Sequence, residues 1–110
     1  MGYMRRVAVE GGQAVLAKRG AREAGAIHVR IVAQDGDRLY SPVPMSLDDD
    51  PGAVASRRWS LRAAGSPRDI DDILARELGF DGDAWVIDVD DREGRDWFLP
   101  EERAEDFDTG

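Results

Sequence analysis

The residues with the chemistry to act on another molecule begin with the hydroxyls. Ser41, Ser46, Ser56, Ser60 and Ser66 are the available serines, and none stands in a Gly-x-Ser-x-Gly turn. His28 is the single imidazole that could take a proton from one of them, and Ser66 already suits a helix cap. No Ser-His-Asp site is expected. With no cysteine, thiolate nucleophiles, disulfides and thiolate metal sites are excluded, and one histidine excludes a multi-histidine metal site within a protomer.

Carboxylates come next. Asp88 and Asp90 alternate along one strand face, close enough to share a cation, with Asp91 and Glu93 just beyond. A calcium loop beginning at Asp88 fails, because Arg92 takes a ligand position and Glu93 the position that must be glycine. Asp48-Asp49-Asp50 is a consecutive run, and a hard cation needs oxygens converging from several directions. Solvated acidic surface is the expected reading of both groups. No cofactor or metal is expected.

Arginine beside aromatic rings is the remaining chemistry, and it depends on how the strands lie. Gln13–Arg19, Ala26–Ala33 and Asp37–Val43 read as three strands. The middle one puts Ile27, Val29, Ile31 and Ala33 on one face and His28 and Arg30 on the other. A two-residue Asp35-Gly36 loop would set Arg38 and Tyr40 beside Val29 and Ile31. A three-residue loop, Gln34-Asp35-Gly36, instead pairs Ile31 with Leu39, and the apolar pattern favours it. His28, Arg30, Arg38 and Tyr40 then share a face, which Arg58 and Arg62 join if the fourth strand pairs alongside. Such a face suits phosphate, carboxylate or single-stranded nucleic acid. Its plain alternative is a solvated face whose arginines pair with the many carboxylates.

The other elements position this meander. Met1–Glu10 has a helix-like pattern stopped by Gly11-Gly12, and lacks an N-cap, as though it were the back half of an element. Arg22 and Glu23 sit at a loop tip, and residues 45–56 read as a mobile loop. Arg57–Ala63 is a fourth strand with Trp59, Leu61 and Ala63 on one face. Ser66 caps a helix over Pro67–Leu78, with Ile70, Ile73, Leu74 and Leu78 as its buried stripe. Gly79 is its left-handed stop, after which Phe80 folds back. Ala84–Asp90 is a fifth strand and Arg95–Leu99 a sixth, followed by an acidic, frayed tail over 100–110. Trp97-Phe98-Leu99 reads either as covered core or as an oligomer contact. The expected fold is a single α+β domain. Its mainly antiparallel sheet of about five to six strands carries the 67–78 helix on one face, with a short N-terminal helix besides.

Composition narrows the partners. The chain of 110 residues is 42% hydrophobic with three tryptophans, which argues against disorder. A net charge of −8 disfavours nucleic acid and anionic membranes. No run is long and apolar enough for a membrane helix or a signal peptide, so a cytoplasmic protein is expected.

Arg19-Gly20, Ala24-Gly25-Ala26-Ile27, Arg58-Trp59, Phe80-Asp81-x-Asp83-x-Trp85-Val86 and Asp91-Arg92-Glu93-Gly94-Arg95 resemble a group of short alphaproteobacterial proteins. These are catalogued as domain of unknown function number fourteen-ninety-one. The resemblance runs from about Arg5 to Leu99. It implies a small bacterial protein, assigns no activity and carries over no catalytic residue. The expected function is a non-enzymatic protein-interaction or accessory module with an unidentified protein partner or self-association. The alternative is a binder of a small anion or nucleotide on the His28, Arg30, Arg38, Tyr40, Arg58 and Arg62 face.

Overall fold

The computed structural model describes residues 2–21, 26–43 and 58–103. The expectations for Arg22 and Glu23, for 45–56 with its triple aspartate, and for the tail from 104 onward lie outside the described residues. The elements are α1 (Gly2–Val9), β1 (Gln13–Lys18), β2 (Ile27–Ala33), β3 (Gly36–Pro42), β4 (Trp59–Gly65), α2 (Pro67–Phe80) and β5 (Trp85–Asp90), then a 3-10 turn at Pro100–Glu102. They form one five-stranded sheet in the order β1-β5-β2-β3-β4. β5 runs antiparallel to β1 and parallel to β2, while β2–β3 and β3–β4 are antiparallel. The α+β class with a mostly antiparallel sheet holds. Among the described residues no helix is long and apolar enough to cross a membrane.

Both faces of the sheet are covered. On one, Tyr3 and Val7 of α1 pack with Phe98 over Val29, Ile31, Tyr40, Trp59, Ile87 and Val89. On the other, Ile70 and Leu74 of α2 pack over Leu39 and Val86, flanked by Ala63, Ile73 and Leu78. α1 stops where expected: Gly11 turns left-handed at φ 92°, and Gly12 donates to the Val7 carbonyl at 2.8 Å. α2 starts as read, with the Ser66 hydroxyl accepting from Asp69 N at 3.1 Å.

Two-sided burial explains the register error. The β2–β3 turn is the two-residue Gln34-Asp35, with Ala33 opposite Gly36 and Ile31 opposite Arg38. A three-residue loop was preferred because it collects apolar residues on one face. Here Leu39 belongs under α2 and Tyr40 under α1, so apolar parity has no power to fix the register. The fourth strand errs for a related reason. Tyr40 pairs with Leu61 but Leu39 with Ala63, leaving Arg62 as an extra residue in a bulge. The bulge sends Trp59 to the α1 side and Ala63 to the α2 side.

Two further expectations fail. α2 continues through Gly79 to Phe80 and is capped by Asp81, whose N–H reaches the Glu77 carbonyl at 2.9 Å. Helical backbone at Gly79 denies Phe80 a fold-back, and its side chain stays 86% exposed. Arg95–Leu99 forms no sixth strand. It straps across α1: Tyr3 Oη donates to the Asp96 carbonyl at 2.6 Å, and an Arg6 Nη donates to the Trp97 carbonyl at 3.1 Å and to Glu102 at 2.6 Å.

Candidate binding edge and cleft

The corrected register takes the basic face apart. His28 and Arg30 point under α2, whereas Arg38 and Tyr40 sit on the α1 side. His28 is buried, its Nδ1 2.9 Å from the Ser41 hydroxyl. This is a serine–imidazole pair, and both partners are buried on the side of the sheet that α2 covers. Burial lowers the His28 pKa from its ordinary 6.5, an effect only partly opposed by Glu77. Arg30 reaches Asp37 at 2.6 Å, the Pro67 carbonyl at 3.0 Å and the Asp71 carboxylate of α2. Burial disfavours its charge, but those carboxylate hydrogen bonds outweigh it and raise its pKa. This arginine clamps the helix to the sheet.

The remaining basic residues scatter. Arg38 pairs weakly with Asp35 at 3.3 Å and lies against Gly94, where an added Cβ would collide with the guanidinium. Gly94 is left-handed at φ 78°, a backbone conformation that glycine adopts without the penalty a Cβ brings. Arg62 pairs with Glu77 on α2, and Arg58 is exposed ahead of β4. Tyr40 is buried edge-on to Phe98, ring centroids 5.1 Å apart. No anion site is assembled from these six.

The Trp97-Phe98-Leu99 run divides as well. Phe98 is core, stacked on Trp59 at 5.0 Å with 9° between planes and 5.2 Å from Tyr3. Leu99 is exposed. Trp97 takes φ 64°, the left-handed region, which costs a non-glycine residue about 1–2 kcal/mol. The run is therefore chiefly core. Asp88, expected on a solvated face, is half-buried beside Arg30. Burial raises its carboxyl pKa despite that arginine, and its Oδ1 has no partner among the described residues. Among the described residues, no three His, Asp or Glu side chains stand together as a metal site.

What the fold does leave open lies at β1. β1 is an outer strand, and among the described residues nothing pairs with its outer side. Val15 is 63% and Leu16 40% exposed; successive strand residues face opposite ways, so β1 is apolar above and below. An outer strand of this kind offers free N–H and C=O groups flanked by apolar side chains. At the head of β1 is a cleft of about 610 Å³. Gln13, Gln34, Asp90 and Glu93 stand around it, with Trp97 and Arg95 forming one wall.

Asp91 organises that wall. Its carboxylate accepts from Glu93 N at 3.1 Å, Arg95 N at 3.1 Å and Arg95 Nε at 2.9 Å. Burial would raise the Asp91 pKa, but these hydrogen bonds outweigh it and hold the carboxyl below the usual range. The Arg95 guanidinium, fixed there, lies 4.6 Å from the centroid of the Trp97 ring. The Trp97 indole N–H is buried and has no acceptor among the described residues. Trp59 and Trp85 differ: their indoles donate to the carbonyls of Ile27 at 2.8 Å and Ala21 at 2.7 Å. Sequence reading passed over Val15, Leu16, Gln13 and Gln34. The signal available was the uncharged run Gln13–Ala17; edge position depends on β5 inserting beside it, which no local pattern announces.

The comparisons fit this architecture. The family model described as a protein of unknown function (DUF1491) matches residues 1–99. The solution structure of protein Atu0922 from A. tumefaciens is 39% identical with a TM-score of 0.70, over 81% of this chain and 78% of that one. The crystal structure of a DUF1491 family protein from Caulobacter crescentus is 26% identical with a TM-score of 0.71, over 94% and 90%. The NMR structure of a DUF1491 family protein from Caulobacter crescentus is 29% identical with a TM-score of 0.72, over 94% and 90%. No curated protein matches the chain in sequence.

Proposed function

Since the chain belongs to the DUF1491 family, whose description assigns no activity, its own geometry has to carry the reading, and we propose a non-enzymatic protein-interaction module that receives an extended partner segment along β1. The observation behind this is the outer strand β1, uncharged from Gln13 to Ala17, with Val15 and Leu16 exposed on opposite faces. Strand addition supplies main-chain hydrogen bonds, and the two apolar side chains supply burial on both faces of the new pair. Full burial of one valine or leucine contributes about 1.5–3 kcal/mol. The serine–imidazole pair gives no competing enzymatic reading, because it is buried. The anion-binding reading loses its support with the shared face it required.

Fluorescence anisotropy of a labelled Thr-Val repeat peptide tests the proposal. The chain binds it, and Val15→Lys with Leu16→Lys reduces binding by about tenfold or more. A second copy of the chain as the partner would show as concentration-dependent sedimentation that the same double variant abolishes. A strict monomer that binds no extended peptide contradicts the proposal.

A further inference from the structure

Asp88 stands one strand in from the edge that receives the segment. The sheet register places it between Val15 on β1 and Arg30 on β2, so the three side chains form a row on the α2 side of the sheet. α2 lies chiefly over β3 and β4 and reaches β5 at Val86, which leaves the β1 end of that face open. Val15 is 63% exposed there, and residues directly opposite on paired strands stand about 5 Å apart at Cβ. Water reaches the half-buried Asp88 from the side of Val15.

Arg30 does not pair with this carboxylate. Its Nε donates to Asp37 at 2.7 Å, one Nη to Asp71 and the other to the Pro67 carbonyl at 3.0 Å. Each guanidinium nitrogen thus has an acceptor other than Asp88, whose Oδ1 has no partner among the described residues. The other groups facing Asp88 give it no counter-charge. Asp37 on β3 and Asp71 on α2 add negative charge, and Asp90 follows it, exposed, on β5. On β1, Gln13 and Val15 are uncharged, while the Lys18 ammonium is turned to the carbonyls of Gly82 and Ala84. His28 stands beside Val86 and is bonded to Ser41. Burial, opposed by Arg30 and aided by Asp37 and Asp71, already raises the Asp88 carboxyl pKa in the free chain. Its ionised form rests on the water beside Val15.

A branched side chain laid against Val15 by a docked segment displaces that water, and desolvation disfavours the charged carboxylate. Resting on the strand-addition reading, we infer that docking on β1 is proton-linked: the segment binds as Asp88 takes up a proton, and so binds more tightly in mildly acidic than in alkaline solution. Asp88 then titrates at higher pH in the complex than in the free chain. Affinity rises as pH falls through the value in the complex and levels off below the value in the free chain.

The Thr-Val repeat peptide, blocked at both ends so that it carries no titratable group, is the probe. Its affinity tightens about threefold or more between alkaline and mildly acidic pH. Asp88→Asn binds it more tightly than the unsubstituted chain in alkaline solution and shows no slope, whereas Asp90→Asn and His28→Gln keep the slope. In the unsubstituted chain the ¹³C resonance of the Asp88 carboxyl titrates at higher pH with saturating peptide than without, a readout that needs no variant to fold. If the peptide shifts the β1 amides but its affinity and the Asp88 midpoint do not move, the proton linkage fails and strand addition survives. A slope that persists in Asp88→Asn puts the proton elsewhere and also overturns the inference. If the peptide shifts no β1 amide at any pH, strand addition itself is wrong and the linkage falls with it.

Discussion

The two outer strands of the sheet have opposite characters. β4 is guarded: its bulge at Arg62 breaks the ladder, that arginine pairs with Glu77, and Arg103 bridges to Trp59 at the strand's start. The strap 95–103 runs past the same end, and Arg103 is tied to Asp96 at 2.8 Å. β1 also carries an irregularity, between Leu16 and Lys18, but Lys18 is occupied within the fold. Its ammonium donates to the carbonyls of Gly82 at 2.9 Å and Ala84 at 3.0 Å. The remainder of β1 is uncharged and apolar on both faces. Bulges, charges and covering segments are the ordinary means of keeping an edge from pairing. One edge of this molecule has them in number and the other has almost none, which is the difference expected where pairing is the function.

The comparison is broken most forcefully at the strap. Phe98→Ala removes the ring stacked on Trp59 and is expected to destabilise the chain by about 3–5 kcal/mol in urea unfolding. Amide exchange then accelerates more in β4 than in β1. Asp91→Ala deletes three hydrogen bonds in the cleft wall and costs about 2–3 kcal/mol, read from the same unfolding curves. It frees Arg95 while leaving β4 unchanged. A pH series gives a smaller effect that neither edge controls. Because the folded chain holds His28 below its ordinary 6.5, the unfolded chain binds the proton more readily. The stability from neutral His28 is complete above that ordinary value and declines as pH falls from it toward the folded pKa; His28→Gln flattens the decline. The smallest change in stability, within about 0.5 kcal/mol, is expected for Val15→Lys. That variant sharpens the contrast, since it leaves the fold intact and gives β1 the charge that β4 already has.

Much of the architecture was legible. α1 with its glycine stop, the Ser66 cap, and the positions of all five strands followed from period and punctuation, because those signals are local. Register was not. β2 and β3 bury both faces, so Leu39 and Tyr40 are apolar for different neighbours and the alternation that normally fixes pairing is silent. Arg38 and Tyr40 inherited that one-residue error, whereas His28 and Arg30 do lie on the face opposite Val29 and Ile31, under α2. The bulge at Arg62 was equally hidden, for an arginine in a strand looks the same whether or not the partner strand skips it. Phe98 was read as core or contact and proved to be core. What hid the open edge was topology: β5, late in the chain, inserts between β1 and β2 and pushes β1 to the rim. No spacing within Gln13–Lys18 records that.

Amide hydrogen exchange on the chain with and without a saturating Thr-Val repeat peptide tests the asymmetry of the two edges most directly. Strand addition at β1 predicts that amides within Gln13–Lys18 slow by about tenfold or more while those of Trp59–Gly65 keep their free rates. Slowing confined to Trp59–Gly65, or none in either strand, would contradict the account.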